Sequence, residues 1–123
     1  MKHTYFILSC LLLKSAVAVA QPRYAPEVRA KREVQWMQDS LGITQSQAAK
    51  AAPIELVFNR QMDKAILIKD QASRIKKEQY LMHKEDKHMK ALLNKQQYDK
   101  YCRHAAALRA QQQQQPHGIH RAL

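Results

Sequence analysis

Apolar residues recur along this chain at helical spacing, and alternation of the kind a strand needs is scarce. Ala30, Val34, Met37 and Leu41 follow at intervals of four, three and four, one stripe of a helix. Trp36 lies beside that stripe. Pro26 suits a first turn, where its missing N–H costs nothing, and Gly42 suits a left-handed stop. The pattern predicts a helix over Pro26–Leu41. Towards the other end, Tyr98, Tyr101, Cys102, Ala105 and Leu108 predict a last amphipathic helix ending near Ala110. The polar, low-complexity "QQQQQPHGIHRAL" beyond it predicts a disordered tail over 111–123.

Between these ends the chain has neither Gly nor Pro from Ile54 to Leu93. Two rows run through it at a spacing of seven: Ile54, Gln61, Ile68, Ile75, Met82 and Met89, and beside them Phe58, Ala65, Ala72, Gln79, Asp86 and Leu93. A single helix over this stretch would reach about 60 Å, whereas a compact chain of this size has a radius of gyration of about 13 Å. This long central helical segment must therefore fold back as a hairpin or bury its stripe in a second chain. Lys69–Ser73, "KDQAS", is its most polar and cap-rich place for a bend. Pro53 should kink or restart the preceding helix. The expected fold is all-α, with about four helices and a thin core, for which burial across a dimer is the simplest remedy.

Two short phrases punctuate the pattern: "LGITQSQ" over Leu41–Gln47 and "LLNKQQYDKY" over Leu92–Tyr101. Thr44 with Gln47 spells a capping box, in which the hydroxyl takes the N–H three residues on and the Gln side chain reaches back. Asn94 with Gln97 repeats it. Ile43 can staple to Ala48, and Leu93 to Tyr98. Each phrase marks a helix that starts directly after a tight turn.

The first residues change the picture of where the protein works. "MKHTYFILSCLLLKSAVAVAQ" has a basic Lys2, an apolar run Phe6–Leu13 and small residues ending in Ala18-Val19-Ala20, the layout of a secretory signal peptide over 1–20. A rival reading lipidates Cys10 of "ILSC", although the apolar run ahead of it is short. Lys14 argues against a membrane span, and no other segment approaches the roughly 20 apolar residues a bilayer requires. The domain then runs from 21 to 110.

The full chain carries a net charge of +11. Without Lys2 and Lys14, its 21 basic residues fall to 19 against 10 acidic ones, still a large excess. Such a charge draws anionic lipid, acidic polypeptide or nucleic acid, and export argues against nucleic acid. Past the leader only Cys102 remains, so no intrachain disulfide can form. It could link two chains or simply fill a small apolar space.

Taken together, the phrases Ile43-Thr44-Gln45-Ser46-Gln47 and Leu93-Asn94-Lys95-Gln96-Gln97 resemble the doubled L-T-x-x-Q motif of the Spy/CpxP-like periplasmic proteins. Ile stands for Leu in the first and Asn for Thr in the second, and both changes keep the capping chemistry. The resemblance covers about Val28 to Ala106. It implies a Spy-like helical hairpin arrangement in a cradle-shaped homodimer, exported to the periplasm. It also implies an ATP-independent chaperone-like or envelope-stress protein that binds unfolded polypeptide. The alternative within the same family is a zinc-binding or stress-sensor-regulating protein.

A cradle for unfolded polypeptide needs adaptable apolar contacts, which methionine supplies, rimmed by charge that steers clients. The candidates are Phe58, Met62, Ile68, Ile75, Met82 and Met89, with Lys69, Lys76 and Lys90, and His83 between them, recurring every seven residues. The bland alternative makes the apolar rows core and the lysines a solvated face. For metal the weak candidates are His83 and His88, five apart rather than the three or four that share a helix face. Glu85 with His88 has the better spacing, while Asp86, His104, His117 and His120 complete the inventory. No segment pairs a wide apolar face with a continuous basic one, as membrane-surface binding would need. No nucleophile–base or paired-carboxylate arrangement argues for an enzyme, and no cofactor is expected.

Overall fold

The computed structural model describes residues 23–114, in four helices and no strand. The expected leader over 1–20 with Cys10, and the tail beyond Gln114 with His117 and His120, lie outside the described residues.

Helix α1, Pro26–Trp36, opens with Pro26 in its first turn, and Ala25 supplies the carbonyl that Val28 and Arg29 bond at 3.0 and 3.1 Å. It runs on into one π-helical turn, Met37–Leu41, and stops at Gly42, whose φ of 64° is left-handed. A Cβ there would meet nothing within 4 Å, so the backbone angle rather than space favours glycine. The wider turn buries Met37 and Leu41 together.

Helix α2, Gln45–Ala65, starts on the expected capping box: Gln47 N–H donates to Thr44 Oγ1 at 3.1 Å and Thr44 N–H to Gln47 Oε1 at 2.9 Å. Pro53 does not restart the helix, which continues through it. Both Pro53 and Ala49, the residue whose carbonyl forfeits its helical donor, are exposed, so water can satisfy that carbonyl.

The long central segment is not one helix. The chain reverses over 66–70, with Leu67 and Ile68 N–H groups closing onto the carbonyls of Lys64 and Ala65. Helix α3, Gln71–Leu92, then starts on Asp70, whose carboxylate accepts from Ser73 N–H at 2.8 Å. The bend expected over "KDQAS" is thus the N-cap of α3, and α2 and α3 form a helical hairpin. Leu93 leaves α3 with extended angles. Helix α4 begins at Lys95 on the second capping box, Gln97 N–H to Asn94 Oδ1 at 2.9 Å and Asn94 N–H to Gln97 Oε1 at 3.0 Å. It runs to Gln114, four residues into the stretch expected to be disordered.

The core lies where the two boxes meet. Met37, Leu41, Ile43, Ala51, Met89 and Tyr101 are buried together there, and both staples close onto it: Ile43, Ala48 and Leu93 are buried, and Tyr98 packs alongside. Cys102 is half-buried against the same cluster as a free thiol. Nearer the hairpin turn the buried apolar residues thin to Ala65 and Leu81. Polar ties hold α1 to α2 instead: Arg29 donates to Asn59 Oδ1 at 3.0 Å and Asp63 Oδ1 at 2.7 Å, and Arg60 pairs with Glu27 at 2.8 Å. No helix among the described residues is long and apolar enough to cross a membrane.

Candidate functional site

The α2–α3 hairpin carries two concavities. The first is an apolar groove of about 220 Å³ between the two helices, walled by Ile54, Val57, Phe58 and Leu81 and edged by Lys84 and His88. Further along the same hairpin, Ile66, Ile75 and Tyr80 are exposed, and Leu67 in the turn is 77% exposed. Exposed aliphatic and aromatic groups of this size are apolar surface that a second molecule can cover. Lys69, Lys76 and Lys90 are exposed on the same hairpin, and Lys77 stands 5.3 Å over the Tyr80 ring.

The second concavity, of about 330 Å³, lies where all four helices contribute. Its apolar walls include Phe58, Met62, Met82 and Leu108. Its polar wall mixes three carboxyls, Glu33 from α1, Glu55 from α2 and Glu85 from α3, with Arg23, Arg29 and Arg109, and with Tyr101 and His104 from α4. Glu55 is only 2% exposed, and its Oε1 has no hydrogen-bond partner. Burial, then the charges of Glu85 and Glu33, push its carboxyl up to about 10. Burial also pushes Glu85 up to about 7, against the opposing effect of hydrogen bonds from Glu55 and Tyr101. At neutral pH Glu55 therefore keeps its proton and donates towards Glu85, because two buried carboxylates side by side do not both ionise. Burial raises Glu33 as well, while His104, its Nε2 3.6 Å from Glu33 Oε1, opposes the rise. The His104 ring stacks on Trp36, centroids 3.6 Å apart and 15° from parallel.

Of the residues expected to meet a client, Phe58, Met62 and Met82 come together on the walls of this second cavity, and Phe58 also borders the groove. Ile75 is exposed and Ile68 half-buried beside the turn. Met89 is not on a surface at all: it is 0% exposed, in the core. The reversal over 66–70 separates Ile68 from the seven-residue row, and within α3 the core covers only the end that carries Met89, so Ile75 on the same face stays exposed near the turn. His83 and His88 are both exposed, and among the described residues no three His, Cys, Asp or Glu side chains converge to hold a metal ion.

The polar wall was missed from sequence, although a signal existed. Ala48, Ala51, Glu55, Phe58, Met62 and Ala65 form a single stripe at intervals of three and four, with one carboxylate in it. In α3, Glu85 likewise falls between Leu81 and Met89.

The two capping boxes are joined. Gln47 Nε2 donates to Gln97 Oε1 at 2.8 Å and to the Leu92 carbonyl at 3.2 Å, while Gln97 Nε2 donates back to Gln47 Oε1 at 3.3 Å. The doubled phrase thus locks the start of α2 to the junction of α3 and α4. Comparison of the chain with protein-family models, curated proteins and solved structures gives no match.

Proposed function

We propose that this is an exported, Spy/CpxP-like protein that binds unfolded polypeptide without ATP and works as a homodimer in the periplasm. The observation that carries the reading is the α2–α3 hairpin, which leaves Val57, Ile66, Leu67, Ile75 and Tyr80 exposed, with exposed lysines on the same element. Exposed apolar groups of this size offer contact to any extended apolar segment, and the surrounding positive charge speeds encounter with acidic ones. The doubled capping phrase and the leader-like residues 1–20 support the family and the export. Pairing through part of the same hairpin would cover apolar surface that a single chain leaves open. No enzymatic step is part of this function.

The test is aggregation of a heat- or reduction-sensitive client, followed by light scattering with purified protein added at substoichiometric and equimolar amounts and no nucleotide. Suppression that grows with added protein is expected. Unchanged scattering would remove the chaperone-like reading, and a monomer by solution light scattering would remove the cradle.

A further inference from the structure

One carboxyl in the polar wall of the four-helix cavity has no cationic partner. Four carboxylates belong to it or to its immediate ties: Glu33, Glu55, Glu85, and Asp63, which holds Arg23 and Arg29 at 3.2 and 2.7 Å. Arg23 and Arg29 answer Asp63, His104 Nε2 stands 3.6 Å from Glu33 Oε1, and the charge of Arg109 acts on Glu85. The carboxylate left without a counter-charge is Glu55, the most buried of the set, with Oε1 unpartnered. We propose that this cavity binds a primary alkylammonium group, with the Glu55 carboxylate as its anchor and Phe58, Met62 and Met82 against its alkyl stem.

The donor and acceptor inventory fits that ligand. An ammonium presents three donors and no acceptor, and the Glu55 Oε1, Glu85 and Tyr101 oxygens are acceptors on the same cavity. A polyvalent metal lacks its donor set, since no three metal-binding side chains converge among the described residues. A cavity of about 330 Å³ also has room for a stem of several carbons beside the charge, and its methionine and phenylalanine walls suit one. The other buried orphan, Arg29 Nη1, is a donor of the kind a buried water satisfies, because the rest of that guanidinium is anchored on Asn59 and Asp63.

Binding must displace the proton that Glu55 holds when the cavity is empty. Glu85 on α3 and Glu33 on α1 act on that carboxyl directly, and Arg23, Arg29, Tyr101, His104 and Arg109 line the same cavity. None of them supplies a cation in contact with it, so ligand and proton compete for one site. By linkage, affinity rises about tenfold per pH unit as long as the empty site is protonated. The ammonium could come from a free amine or from a lysine side chain of a bound polypeptide. The site does not depend on the polypeptide-binding reading, since a free amine tests it alone.

The experiment is calorimetric titration of the protein with n-butylammonium, at three pH values across neutrality and in two buffers of different ionisation enthalpy, with n-butanol as the uncharged control. Saturable binding is expected, with one proton released per ligand, tighter binding as pH rises, and none for n-butanol. Glu55→Gln should weaken it at least tenfold while helical circular dichroism is kept. No saturable binding, no proton release, or equal binding by Glu55→Gln would each overturn the site. The proton count and the n-butanol comparison need no variant, so a variant that fails to fold leaves the test intact. A second arm uses an unstructured lysine-containing peptide and its acetyl-lysine counterpart. Binding lost on acetylation assigns the ligand to polypeptide, and binding of n-butylammonium alone assigns it to free amines.

Discussion

Gln47 and Gln97 pair through both ends of their side-chain amides, 2.8 Å in one direction and 3.3 Å in the other, while each also closes its own helix cap. Two local devices, distant along the chain, are thereby one tertiary contact. Gln97 is buried in it and Gln47 half-buried. Alanine at either position should cost more than a solvent-exposed cap partner would. A double-mutant cycle on Gln47→Ala and Gln97→Ala should return a coupling energy of about 1 kcal/mol, within the range for residues sharing one network. Urea unfolding of the four proteins measures it, and strict additivity would mean that the pair does not act as one.

Thr44→Ala removes the acceptor for Gln47 N–H and leaves the amide pair in place. The expected loss is about 1 kcal/mol of stability, as for other N-cap truncations. Polypeptide binding per folded molecule should not change, and a binding titration at a temperature where both proteins are folded checks that.

Stability should fall as pH rises. The folded state raises Glu55 from its ordinary 4.5 up to about 10, and Glu85 from 4.5 up to about 7. Folded protein then keeps protons that the unfolded chain releases. The contribution is fully present below 4.5 and is lost progressively as pH climbs, through about 7 for Glu85 and about 10 for Glu55. One proton of difference corresponds to a slope of at most about 1.4 kcal/mol per pH unit. Glu55→Gln, which keeps the shape without the titration, should flatten the profile and be the more stable protein on the alkaline side. Urea midpoints across the pH range decide it, and a profile rising with pH would show that the carboxyls are not held protonated.

Met89→Ala and Leu67→Ser should have opposite signatures. Met89 is fully buried among Leu41, Ala51 and Tyr101, so its truncation should cost about 2–5 kcal/mol. Leu67 stands in solvent on the hairpin turn, and its change should move stability by less than about 0.5 kcal/mol while weakening polypeptide binding. Thermal melts set beside binding titrations separate the two.

The parts of this structure that are legible in the sequence are those fixed locally. The helix over Pro26–Leu41, its stop at Gly42, the two capping boxes and the staples involve groups within five residues of one another, and each stands where its spacing placed it. Periodicity across the hairpin fails for a physical reason. Ile75, Met82 and Met89 do share one face of α3, but the core covers only its Met89 end, beside the two capping boxes, and leaves Ile75 near the hairpin turn exposed, while Ile68 lies in the turn itself. The Gln47–Gln97 pair and the Trp36–His104 stack depend on how helices pack, which no spacing along the chain encodes. Glu55 is the instructive case. Its place in an apolar stripe is visible in the sequence, but its lack of a counter-charge appears only once α1, α3 and α4 surround it.

The most direct test of polypeptide binding on the hairpin is fluorescence anisotropy of a labelled, permanently unfolded polypeptide titrated with this protein and with its Leu67→Ser/Ile75→Ser/Tyr80→Ser variant. The predicted result is saturable binding by the unaltered protein without nucleotide, and binding at least about tenfold weaker by the variant with its melting temperature unchanged, a difference of roughly 1.4 kcal/mol. Equal anisotropy curves for the two proteins, or no saturation with either, would show that the exposed face of the α2–α3 hairpin is not where unfolded polypeptide is held.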